Sequence, residues 1–254
     1  MFAHQAKITV KRFTMIGHPS NEDSENNLTP DKTSPTQSPL PKPRSRPLRP
    51  GCRKEDAVRQ YLDQKILHVS RRYAKKFQPR EEQRVGDVTG YVNMDQVASD
   101  IGRLADVVWL TGTPNLQVQY LLNIAGMFIN FLPAFPPAPK AIFLLLKKMD
   151  YAFSCLLKGK NISSDEVLPG FSGGNDVGLS KTDMVRLRSL VEETRVLTVN
   201  LLGSNDFEDR NTSEKRKTSS ACHDQYDMDL ASVYEQTIFS LGELLEPSFS
   251  LQNQ

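Results

Sequence analysis

The sequence predicts an all-α fold: a compact bundle of about five or six helices, with a long polar tail and mobile inserts. Three observations carry that expectation. After Gly51, apolar residues recur every three or four positions through most of the chain. Helix-starting residues stand in front of these stripes, and glycines or prolines follow them. No stretch of useful length alternates apolar and polar residues as a half-buried strand would.

The first helix is expected from Lys54 to Phe77. Its stripe is Val58, Leu62, Ile66, Val69, Tyr73 and Phe77, and its other faces are charged. Asn93 should cap the second helix, with Gln96 three residues on as its capping-box partner. The stripe there is Val97, Ile101, Leu104 and Val108, ending near Trp109. Thr113-Pro114 reads as a cap followed by proline at the first helical position, opening a third helix to Leu132. The prolines of LPAFPPAP cannot continue it. A fourth helix follows from Pro139 to Lys158, with Gly159 placed as a C-cap glycine. Ser180 and Asp183 form a capping box for a fifth helix that stops at Gly203. A sixth covers Met228 to Leu245.

The tail is different. Half of the 16 prolines fall in the first fifty residues, where large apolar residues are scarce. Such a segment buries too little apolar surface to offset its ordering entropy, so residues 1–53 are expected to be disordered. The helical domain is then 54–246, with flexible inserts at 159–179 and 203–226 and a disordered end at 247–254. Thr29, Ser34 and Ser38 each precede proline and are candidate phosphorylation sites. Lys42, Arg44, Arg46, Arg49, Arg53 and Lys54 form a basic run, a candidate nuclear signal. The opening MFAHQAKITVKRF is basic in the manner of a mitochondrial transit peptide. It is short, however, poor in serine, and runs into the acidic NEDSEN.

Composition removes several classes. The apolar fraction, 38%, is low for a chain folded throughout. A net charge of +2 gives no bulk argument for nucleic acid, and no direct binding to it is expected. The 3 cysteines are isolated and odd in number, which favours reduced thiols over a disulfide framework. The sequons at Asn161 and Asn211 then read as chance matches. Val107 to Pro139 holds no charged residue, which raises a membrane hairpin as a reading. Asn115, Gln117, Gln119, Asn123 and Asn130 interrupt the third helix, however, and Lys147, Lys148 and Asp150 interrupt the fourth. Charges there would be costly in lipid, so two packed, water-soluble helices fit better and no membrane partner is expected.

No catalytic constellation is visible. His4, His18, His68 and His223 lack a Ser, Cys or carboxylate at a recognisable spacing. Cys222-His223 is two ligands short of a metal site, and SGGND has glycines without a preceding strand. No metal, cofactor or enzymatic activity is expected. The positive features belong to an interaction protein. Arg71, Arg72, Lys75 and Lys76 gather at the end of the first helix, as a partner surface or simply as cations favoured at a helix C-terminus. Trp109 is a partner anchor or a core residue, and the core is the simpler expectation.

Several motifs resemble a known family. YLDQKILHVSRRYAKKF, the VWLTGTP turn, and FPPAPK leading into KKMDY are similar to the small fungal accessory subunit of general transcription factor IIH (TFIIH), its subunit 11, over about residues 55–159. LRSLVEETRVLTVNLL is a weaker echo. The resemblance implies a nuclear, non-enzymatic subunit acting in RNA polymerase II initiation. It would bind TFIIH subunits, above all the XPB-type translocase, and promote that subunit's release. A helical scaffold of another nuclear complex is the alternative, followed by a mitochondrial or membrane-associated helical protein.

Overall fold

The computed structural model describes residues 38–79, 88–171, 178–203 and 228–245. Six α-helices are found among them: α1 Arg53–Lys75, α2 Met94–Leu110, α3 Pro114–Phe131, α4 Pro139–Lys158, α5 Lys181–Gly203 and α6 Glu235–Leu245. A short 3₁₀ turn, Leu132–Ala134, carries α3 into the proline turn. The all-α expectation holds. Among the described residues the sole sheet-like pairing is an isolated bridge between Lys160 and Val167.

α3 lies at the centre. Leu116, Leu121, Leu122 and Ile124 are fully buried, and Val118, Ala125, Phe128 and Phe131 nearly so. α2 and α4 pack on it and on each other, α5 covers another side, and α6 closes against α4 and α5. α1 rests on α2 at the edge. The uncharged stretch that raised a membrane reading is therefore the inside of the bundle. Its polar Gln117 is satisfied there, donating from Nε2 to the Trp109 carbonyl at 2.9 Å. Among the described residues no helix is long and apolar enough to cross a membrane. The three charges in the middle of α4 find partners. Lys147 meets Asp229 at 3.0 Å, Lys148 meets Asp106 at 2.8 Å, and Asp150 turns inward to α6.

The helix starts follow the caps. Asn93 Oδ1 accepts from Gln96 N at 3.1 Å, while Gln96 Oε1 reaches back to Val92 N at 3.3 Å. Ser180 and Asp183 close a full capping box, each accepting the other's backbone N–H. α1 uses the same device with a thiol. Cys52 Sγ accepts from Glu55 N at 3.4 Å, and the Glu55 carboxylate accepts from Gly51 N at 2.6 Å. Gly159 ends α4 in the left-handed region at φ 66°, as expected.

The structure differs from expectation in five places. α1 ends at Lys75, so Phe77 leaves the stripe and is 63% exposed, its ring edge-on to Tyr73. Thr113 does not cap α3 with its side chain. Its Oγ1 instead accepts from Leu48 N at 2.9 Å and donates to the Thr111 carbonyl. The sixth helix breaks: residues 228–231 form one turn, and Tyr234 then takes φ 54° before α6 starts. The break seats the α6 N-terminus on the Asp150 carboxylate, which accepts from Thr237 N at 2.8 Å and Gln236 N at 3.4 Å. Residues 159–171 are a folded loop. Asn161 N donates to the Glu166 carbonyl and Leu168 N to the Gly159 carbonyl, and Leu168 is buried. Residues 172–177 and 204–227 lie outside the described residues, as does 246–254.

The fifth difference is the end of the expected disordered tail. Residues 38–52 form a strap over the turn between α2 and α3. Leu40 and Leu48 are 5% and 6% exposed, and Arg44 N donates to the Leu110 carbonyl at 3.3 Å. Two leucines and a few backbone bonds hold a segment whose composition predicts disorder. Residues 1–37 lie outside the described residues, and so do Thr29 and Ser34.

Candidate partner-binding surface

The basic end of α1 is mostly turned inward. Arg72 is a clamp between α1 and α2. Its Nη1 lies 2.6 Å from Asp100 Oδ2, its Nε donates to the Thr89 carbonyl at 3.1 Å, and its Nη2 to Gln96 Oε1 at 3.2 Å. The guanidinium also sits 4.1 Å from the centre of the Tyr91 ring. The Tyr91 hydroxyl donates to the same Asp100 oxygen at 2.9 Å. Burial, and then Asp100, push the Tyr91 phenol upward, so it stays a neutral donor. Lys76 lies over two rings, 4.8 Å from the centre of Phe135 and 5.0 Å from that of Phe77. Lys75 is half-buried. Of the four residues, Arg71 alone is classed as exposed. The cluster therefore works first as a fastening, which its spacing in sequence did not reveal.

Trp109 is 1% exposed and cannot anchor a partner from the surface. Its carbonyl receives Gln117, and the residue lines a groove described below.

A groove of about 480 Å³ runs between α1 and α2, lined by Tyr61, Lys65, His68, Arg103 and the Asp100–Arg72 pair. His68, which the sequence places beside the apolar stripe, is exposed there. The surrounding charge is mainly positive.

The basic run of the strap and the first turn of α1 is presented outward. Lys42, Arg44, Arg46, Arg49, Arg53 and Lys54 are all exposed. They alternate partly with Pro41, Pro43 and Pro47, and the chain is fixed at Leu40, Arg44 N and Leu48 N. Gly112 makes that fit possible. A Cβ there would lie 2.9 Å from the Arg44 carbonyl oxygen, at a φ of +53°. Ser38 begins the strap. Its hydroxyl donates to the Leu40 carbonyl at 3.0 Å, and it accepts from Leu40 N at 3.2 Å. It is exposed, and of the three phosphorylation candidates it is the one within the described residues.

The reactive groups sit apart from these surfaces. Cys155 is buried in α4, and burial pushes its thiol up to about 11. Among the described residues no three His, Cys, Asp or Glu side chains are grouped to hold a metal. Asn161, one of the two sequons, uses its side-chain oxygen internally. It accepts from Tyr151 Oη at 2.6 Å and from Ser163 N at 2.8 Å. Glu192 pairs with Arg188 at 2.9 Å on the α5 surface.

Fold and surface together define an all-α domain whose distinctive features are charged and apolar faces. The chain belongs to the family of subunit 11 of the general transcription factor TFIIH, whose model matches residues 90–242, more than half of its length. The match runs from just before α2 into α6, farther toward the C-terminus than the sequence motifs reach, and leaves out α1 and the strap. An uncharacterized protein of Schizosaccharomyces pombe is 25% identical over 187 residues, covering 72% of this chain and 91% of that one. No solved structure matches the chain. The family ties this protein to transcription and to TFIIH, a nuclear factor.

Proposed function

We propose that this chain is a non-enzymatic accessory subunit of TFIIH that binds the XPB-type translocase subunit and promotes its dissociation during RNA polymerase II initiation. The observation that carries the reading is the family match over residues 90–242, which takes in most of the packed core. The role is steric: a rigid helical domain occupies a translocase surface that the rest of TFIIH would otherwise hold. A well-packed bundle suits this task, because a preformed surface loses little entropy on binding. Arg71 and the cationic α1–α2 groove are the proposed contact region, and the exposed basic run Lys42, Arg44, Arg46, Arg49, Arg53 and Lys54 is the proposed nuclear signal. The test adds the purified chain to immobilised TFIIH and follows the translocase in the supernatant. Release that rises with added chain supports the proposal. Translocase that stays on the beads while the chain binds overturns the dissociation role.

A further inference from the structure

The strap and the folded loop 159–171 enclose a groove of about 550 Å³. Its floor is apolar: Leu40, Trp109 and Leu168 are each no more than 5% exposed. Pro41 and Pro43 form one wall. On the other rim Val167 is 57% exposed, a large apolar side chain left in water. Lys42 is the cation lining the groove, and Arg44 and Arg46 are exposed two and four residues further along the strap, outside the lining. Glu166 is the single acidic residue lining the groove.

From this juxtaposition we infer that the groove between the strap and the 159–171 loop binds an acidic peptide segment of a partner protein, one that carries Leu or Phe side chains among its carboxylates. The cations attract and orient the segment. The apolar floor takes the side chains between the acids. Proline walls offer no N–H donors, so specificity comes from charge and apolar contact rather than from added strand pairing. Nucleic acid fits less well. A phosphate backbone gains nothing from a floor of Leu, Trp and Leu, and single strands would need exposed rings for stacking, whereas Trp109 is buried.

The inference rests on the reading that this chain acts by binding other proteins, and it is tested apart from TFIIH. The chain has 1 Trp, so Trp109 fluorescence reports on the groove directly. The purified full chain is titrated with a short synthetic peptide in which Glu alternates with Leu and Phe. Its Gln-for-Glu counterpart and a duplex DNA are titrated in parallel. The acidic peptide should bind with a change in Trp109 emission, more weakly as salt rises, and the Gln peptide should bind at least about tenfold more weakly. Lys42→Glu, Arg44→Glu and Arg46→Glu together should lower affinity on the order of tenfold with circular dichroism and melting unchanged. Val167→Asp should weaken binding without touching the cations. Equal affinity for the two peptides, unaltered binding by the charge-reversed chain, or displacement of the peptide by DNA at lower concentration would each overturn the inference. A chain that joins TFIIH yet ignores the peptide removes this groove and leaves the family reading standing.

Discussion

Replacing Asp150 should separate two effects that one carboxylate combines. Asp150 belongs to α4 but caps α6. It accepts from Thr237 N at 2.8 Å, Thr237 Oγ1 at 2.6 Å and Gln236 N at 3.4 Å, and Thr237 is fully buried. Asp150→Ala removes a helix cap, worth about 0.5–2 kcal/mol. It also leaves the buried Thr237 N–H short of an acceptor, worth about 1–3 kcal/mol more, while the Thr237 hydroxyl keeps the carbonyl of residue 150 at 3.2 Å and Ser154 Oγ at 3.3 Å. The expected loss is about 2–4 kcal/mol, or on the order of 4–16 °C in Tm for a domain of this size. Asp150→Asn keeps an acceptor oxygen and sheds the charge. Burial, the largest influence on this carboxyl, holds its pKa above the ordinary aspartate value despite the bonds from Thr237 and Gln236. The native state therefore binds the proton more tightly than the unfolded chain does. This group's contribution is full below the unfolded pKa and is lost as pH rises through the higher native pKa. The Asn variant should accordingly lose much less stability than Ala, and its stability should lack that downward step above the ordinary aspartate range. Urea melts of the three proteins across acid pH measure both. An Asn variant as unstable as Ala, or a wild-type step that rises with pH, would refute the reasoning.

Three other outcomes follow from the same structure. Arg72→Ala should destabilise by about 1.5–3 kcal/mol, because it breaks charge-assisted bonds to Asp100, Thr89 and Gln96, whereas Arg71→Ala should stay within about 0.5 kcal/mol in the same melts. Gly112→Ala places a Cβ against the Arg44 carbonyl at positive φ, so it should cost about 1–3 kcal/mol and speed protease cleavage within the strap. Cys155, with its thiol pushed up to about 11 inside α4, should react with a thiol reagent in the native protein far more slowly than Cys52, and at a similar rate after unfolding.

The helices were legible because their signals are local. A stripe of Val97, Ile101, Leu104 and Val108 behind an Asn93 cap can form little else. The break at Tyr234 was not legible, since Leu230, Tyr234 and Ile238 keep helical spacing across it. What decides it is a carboxylate 84 positions earlier in the chain, Asp150. The strap was hidden for a related reason. Leu40 and Leu48 are two apolar residues in a proline-rich basic run, and their burial depends on Thr113 and the loop at Leu168. Arg72 reads in sequence as one of four similar cations. Its role as a clamp appears once Thr89, Tyr91 and Asp100 are brought around it. Exposure of Arg71 and burial of Trp109 are likewise tertiary facts, although periodicity already pointed Trp109 toward the core.

The most direct test of the central claim is to purify the tagged chain from nuclear extract at moderate salt and identify what stays bound by mass spectrometry. The account predicts recovery of the XPB-type translocase, with or without core TFIIH. Recovery of an unrelated nuclear complex, or of mitochondrial proteins, with no TFIIH subunit among them would contradict it.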